Sequence, residues 1–241
     1  MKNDVLRAQK CLEFLPNYPD DVKDIKERGI AIEKEIPENA ILFIGINPSF
    51  DAKKQKTQSQ EGYSPIYDFN DMKNNPGFYG KAISIVEDLN RDGVNFSFGH
   101  HDLFPVRETN QKKIEGMFQN KGDKLSPKEE FSIFINESLK WSEEVVIQSK
   151  PAMIVVLNAF ASKLFIDYQI EGNHSLLNFV PADDELWLPE LGTDFVRIGN
   201  KPVPILFSGM LSGQRALDRG SEFRLRWHIN FILKNEDKWP R

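Results

Sequence analysis

At 241 residues, with 40% hydrophobic and 28% charged residues, the chain is long enough for one large core and too apolar to stay disordered. A net charge of -5 argues against a protein that coats nucleic acid through a global positive field, though not against a local basic groove. Cys11 is the single cysteine, which excludes an intramolecular disulfide and a multi-cysteine zinc site.

No apolar run approaches the ~20 residues needed to span a bilayer, and Met-Lys-Asn-Asp-Val-Leu-Arg at the start lacks the apolar centre of a signal peptide. A cytoplasmic monomer without a membrane partner is the expectation. The adjacent pair His100 and His101 shows no His-x-x-x-His spacing, so neither metal nor cofactor is assigned.

Residues 4–15 have helical apolar spacing and stop before Pro16; residues 20–28 predict a second helix closed by Gly29. Ile41 to Ile46 is a short, nearly continuous apolar run, the mark of a strand buried on both faces. Pro48 cannot donate to a sheet ladder, so that strand ends near Asn47. Asn47 is then either a turn residue or an amide presented where open α/β folds hold their ligands. The long connection 51–75 carries Lys53, Lys54 and Lys56.

Pro76-Gly77-Phe78-Tyr79-Gly80 leads to a helix over about 81–89, and a strand is expected at 101–104. A polar, basic loop follows, in which six Lys or Arg between 105 and 128 face three acids. Ser126-Pro127-Lys128-Glu129 reads as the start of a helix running to about 148. Met153 to Leu157 is another buried strand, with a helix beginning near Ala159. Residues 171–194 read as an acidic loop, and 195–198 as a short strand paired through the Gly199-Asn200 turn. Val203 to Phe207 is the last buried strand, and a helix over about 214–234 completes the chain.

Four buried strands separated by helices imply an α/β fold, a three-layer α/β/α sandwich around a mainly parallel four-stranded sheet in a single domain. The carboxyl ends of these strands bring Asn47, residues 105–110, Asn158 and residues 208–213 to one edge.

The order of these motifs resembles the uracil-DNA glycosylase superfamily, above all its mismatch-type and single-strand-selective branches. Their Gly-(Ile/Met)-Asn-Pro-Gly motif is matched by Gly45-Ile46-Asn47-Pro48-Ser49, and their Pro-Gly-Asn-Arg-Phe-Trp segment by Pro76-Gly77-Phe78-Tyr79. Asp102 to Thr109 follows like their basic, threonine-containing loop, then Pro151 to Val156 and a Ser/Leu loop after the last strand. The resemblance spans roughly residues 40–232.

It implies DNA repair by base excision: DNA containing uracil or a related base is the partner, the base is flipped, and water hydrolyses the N-glycosidic bond. Asn47 then positions the water, and Gly45, Ile46 and Pro48 line the substrate site. Phe78 stacks on the base or is instead a core residue at the start of its helix. Asn158, at a position where the family usually has glycine, is by its place at a strand end a candidate base-reading amide. Aligning on Leu211-Ser212 puts Phe207 where the family has a hydrogen-bond donor, and a one-residue shift offers Ser208 as the second catalytic residue. Leu211 matches the wedge that fills the space of a flipped base, or is a buried loop leucine. Arg107, Ser212, Arg215 and Arg219 are the DNA-binding candidates, with solvated ion pairs to Asp218 and Glu222 the alternative for the last two.

The altered last motif and acidic balance keep open a non-catalytic nucleic-acid-binding domain of the same fold. A serine hydrolase is disfavoured, because Gly209-Met210-Leu211-Ser212-Gly213 is not a Gly-x-Ser-x-Gly elbow.

Overall fold

The computed structural model describes residues 2–17, 20–68, 73, 79–93, 95–122, 124–211 and 216–240. Helices α1 (Lys2–Glu13) and α2 (Asp20–Arg28) lead in. Gly29 closes α2 at φ 78°, its N–H donating to the carbonyls of Ile25 and Lys26. Next come β1 (Ile32–Glu33), β2 (Ala40–Gly45) and β3 (Ile66–Tyr67), β1 and β3 forming a small parallel pair. Helix α3 (Tyr79–Arg91), strand β4 (Ser97–Asp102) and the short α4 (Gln111–Glu115) follow.

A hairpin of β5 (Phe118–Lys121) and β6 (Lys124–Pro127) precedes α5 (Ser132–Ser149), β7 (Met153–Leu157) and α6 (Ala159–Asp167). The chain ends with β8 (Trp187–Leu188), β9 (Thr193–Ile198), β10 (Lys201–Ser208) and α7 (Arg219–Leu233). None of the described helices is long and apolar enough to cross a membrane.

The fold is mixed α/β, built on one large open sheet of order β4-β2-β7-β10-β9-β8. The first four strands are mutually parallel, while β9 and β8 extend the sheet antiparallel from β10. The expected four-stranded sheet is therefore corrected to six strands. Residues 193–198 do pair through the turn at Gly199, but they also recruit Trp187 and Leu188 from the stretch read as loop.

All six residues of β2 are buried, and successive side chains alternate between two apolar clusters. Leu42 and Ile44 pack with residues of α1, α2, α5 and α6; Ile41 and Phe43 pack with α3 and α7. Cover on both faces is why β2 carries no polar alternation.

Three boundaries differ from expectation. Strand β4 begins four residues before the expected 101, because His100, His101 and Asp102 are strand residues buried as polar groups. Ser126 and Pro127 lie in β6, and α5 starts only after a 3-10 turn at Glu129–Phe131. The last helix starts at Arg219, where Asp218 caps it by accepting from the Ser221 N–H at 2.9 Å.

Candidate functional site

The carboxyl end of β2 is held by the chain that leaves β4. The Leu103 N–H donates to the Gly45 carbonyl at 3.1 Å and the Phe104 N–H to the Ile46 carbonyl at 2.8 Å. Asn47 follows directly, half-buried. Its Nδ2 donates to the carbonyl of Glu108 at 2.6 Å, and to those of Pro48 and Val106 at 3.1 and 3.3 Å. The amide is thus clamped to the loop after β4, and Oδ1 has no hydrogen-bond partner among the described residues. Gly45, Ile46 and Pro48 are all buried, Ile46 within the apolar core.

Arg107 is turned inward. It is 4% exposed, and its Nη1 donates to the carbonyls of Lys56 and Arg28 at 2.7 and 3.0 Å. The guanidinium also lies 4.8 Å from the Phe50 ring and 5.6 Å from the Tyr63 ring. It secures the 50–63 segment and does not present its charge for a phosphate. Beside it, Glu108 is paired with Arg28 at 2.5 Å and accepts from the Asn110 N–H at 2.8 Å.

Asn110 caps α4, and this places Gln111 opposite Asn158. The two side chains form a reciprocal amide pair: Asn158 Nδ2 donates to Gln111 Oε1 at 2.6 Å, and Gln111 Nε2 to Asn158 Oδ1 at 3.1 Å. Asn158 Oδ1 also accepts from the Phe160 N–H at 2.8 Å, capping α6, with the backbone at φ 97°. Its own N–H donates to the Ser208 carbonyl at 2.9 Å. Asn158 is therefore a bracket between three strand ends, and its amide is committed internally.

Ser208 lies on the rim of an open groove of about 420 Å³, whose other lining includes Phe207, Gly209, Ser162 and Lys163. Phe207 sits 5.1 Å from Phe179 and 5.9 Å from Phe165, ring to ring, as part of an aromatic cluster. Leu211 is fully buried against residues of α7. Arg219 is exposed, its guanidinium 5.5 Å from the Phe223 ring. Phe78, Ser212 and Arg215 lie outside the described residues. Asn47, Asn158 and Ser208 are thus brought to one sheet edge, whereas Arg107 and Leu211 are drawn into the interior.

A second cluster at the same end of β4 was missed. His100 and His101 point to opposite faces of the edge strand, as neighbours must, and Glu33 of β1 reaches both. Its Oε1 lies 2.9 Å from His100 Nδ1 and its Oε2 3.4 Å from His101 Nδ1. Tyr67 donates its hydroxyl to Glu33 Oε1. His101 Nε2 meets Ser142 Oγ at 2.9 Å, and that hydroxyl donates to the Leu103 carbonyl at 2.8 Å.

Asp102 is paired in register with Gly45, and a Cβ placed on Gly45 would stand 2.2 Å from Asp102 Oδ1. Glu33, His100 and Asp102 each offer a ligand atom within 4.8 Å of the others. The signal available in the sequence was three consecutive polar residues after Phe98-Gly99, at a place where a buried strand was due.

These charges perturb one another. Burial would raise the Glu33 carboxyl, but hydrogen bonds with His100 and His101 outweigh it and hold the group at about 2. Burial pushes Asp102 up to about 6, against the pull of His100 and with help from the charge of Glu33. Burial opposes a charged His100, yet Asp102 and Glu33 raise its pKa. Burial also raises the phenols of Tyr67 and Tyr79, so both stay neutral hydroxyls. No protein-family model, curated protein or solved structure matches this chain.

Proposed function

We propose that the chain is a base-excision hydrolase resembling the uracil-DNA glycosylases, with a three-layer α/β/α arrangement, one apolar cluster covering each face of the sheet. It takes a flipped uracil or related base and hydrolyses the N-glycosidic bond with water held by Asn47. One observation carries this reading: Nδ2 of Asn47 is bound by three backbone carbonyls, which leaves Oδ1 as a fixed acceptor at the carboxyl edge. An amide is a poor base, so such a site works by orienting water rather than by taking its proton. The groove beside Ser208 offers space for a base, with Ser208 and Ser162 as its short polar side chains.

The competing reading is a nucleic-acid-binding domain without catalysis. It is favoured by Phe207, which packs among aromatic rings where a hydrogen-bond donor would be needed. Losing one such donor typically costs ~100–1,000-fold in rate.

Labelled single- and double-stranded oligonucleotides carrying uracil, or uracil opposite guanine, separate the two when abasic sites are cleaved with alkali. The hydrolase gives strand scission that is lost in Asn47→Ala, a variant whose fold is checked by circular dichroism because the clamp is lost with the amide. Salt-sensitive binding without scission favours the binding domain, and neither binding nor scission removes the DNA connection.

A further inference from the structure

Asp102 is a carboxyl withdrawn from water at the end of β4. It is 5% exposed, and its carboxylate accepts no hydrogen bond from any described residue. A carboxylate withdrawn from water without donors needs a counter-charge close by. Gly45 is what allows it to sit there, since any side chain at that position would collide with Oδ1.

His100 faces it. Glu33 Oε1 can only accept, so the His100 Nδ1 at 2.9 Å carries the hydrogen; a protonated ring gives Asp102 a counter-charge, and a neutral one turns the lone pair of Nε2 toward it. Nε2 and Asp102 Oδ1 are 3.8 Å apart. That is too long for a hydrogen bond, and when the ring is neutral the two facing acceptors repel. It is close to the roughly 3.4 Å separating two ligands of a tetrahedral cation with bonds of about 2.1 Å.

We propose that Glu33, His100 and Asp102 form a binding site for one divalent transition-metal ion of the zinc and manganese class. Nε2 of His100 and Oδ1 of Asp102 are the two facing ligands. A carboxylate on the far nitrogen of the ring is how metal-binding histidines are held in tautomer and orientation, and Glu33 does this through Nδ1. Glu33 acts through the ring and not on the cation, because the oxygen that accepts from Nδ1 lies on the side of the imidazole away from Nε2.

One imidazole with one ligating carboxylate suits zinc or manganese and disfavours the soft ions that prefer thiolates. Tyr79 stands edge-on to His100 with ring centroids 5.0 Å apart, and the Tyr67 hydroxyl fills the remaining side of Glu33. The site is independent of the hydrolase reading: it stands on residues that reading does not use.

The test is equilibrium dialysis of the EDTA-treated full chain against zinc chloride and, separately, manganese chloride, with bound metal measured by elemental analysis. One equivalent per chain is expected for at least one of the two ions. Asp102→Asn and His100→Gln should each weaken binding at least ten-fold, while His228→Gln, whose ring contacts the Leu191 carbonyl, should leave it unchanged. Circular dichroism verifies the fold of each variant; should His100→Gln fail to fold, Asp102→Asn decides alone, being nearly isosteric. Binding far below one equivalent for both ions, or unchanged affinity in Asp102→Asn, overturns the proposal.

Discussion

Gly45→Ala puts the packing around Asp102 to a direct test. Gly45 is not among the glycines with positive φ, so an alanine there meets no backbone strain. In a strand, glycine is the entropically costly residue, and replacing it with alanine would by itself stabilise the fold by roughly 0.5–1 kcal/mol. Space decides the sign instead. The new methyl would lie 2.2 Å from Asp102 Oδ1 and 3.4 Å from both Asp102 Cγ and His100 Nε2.

Asp102 has a short side chain inside a packed strand pair, so relief requires it to rotate or the strands to part. Overpacking of this kind costs about 1–3 kcal/mol. Weighed against the entropic gain, the expected net loss is up to about 2.5 kcal/mol, or up to about 10 °C in melting temperature for a chain of this size. Urea unfolding and thermal melts followed by circular dichroism in EDTA measure it. In an Asp102→Ala background the clash is gone, and Gly45→Ala should become neutral or stabilising. The reasoning fails if the substitution stabilises the parent, or costs the same in both backgrounds.

Arg107→Met should lose about 2–3 kcal/mol, since two charge-assisted bonds to backbone carbonyls vanish while the aliphatic stem is kept. Limited trypsin digestion should then cut faster at the exposed Lys53, Lys54 and Lys56; a phosphate-binding role would instead lower DNA affinity at unchanged stability. Burial, opposed more weakly by the neighbouring Ser138 hydroxyl, pushes the Cys11 thiol up to about 11. A disulfide reagent should therefore modify the native chain far more slowly at pH 8 than the urea-unfolded one, and faster as pH rises toward that value. Leu211→Ala should destabilise by about 2–4 kcal/mol in urea titration, because the side chain is fully buried. A change below about 0.5 kcal/mol, the range of surface substitutions, would show that Leu211 is not held in the core.

Much of the frame was legible in the residues. Apolar runs without alternation marked β2, β7 and β10, since strands covered on both faces have no polar side to show. Gly29 and the residues around it announced the end of α2. Asn47 was found from its place after a buried strand, and its amide does sit at the sheet edge, though the clamp from residues 106 and 108 required the tertiary fold. The polar cluster was harder. Hydropathy reads His100-His101-Asp102 as surface, and nothing local says that Glu33, 67 residues earlier, returns to satisfy the first of them. Ser126-Pro127 misled for the opposite reason: a good local helix start was overridden by pairing of Leu125 and Ser126 with Asn120 and Gln119.

Asp102 and Asn47 are mechanically joined. Asp102 is followed at once by Leu103 and Phe104, whose N–H groups hold Gly45 and Ile46, and Asn47 is the next residue along the chain. Anything that draws Asp102 toward His100, a bound cation above all, pulls on the same few peptide units that set the direction of the Asn47 amide. The link at the other end of the edge is different in kind. Ser208 is tied to Asn158 through a single backbone bond, and Asn158 to Gln111 through exchanged side-chain amides. Occupancy of the Glu33–His100–Asp102 cluster should therefore be felt at Asn47 before it is felt at the groove beside Ser208.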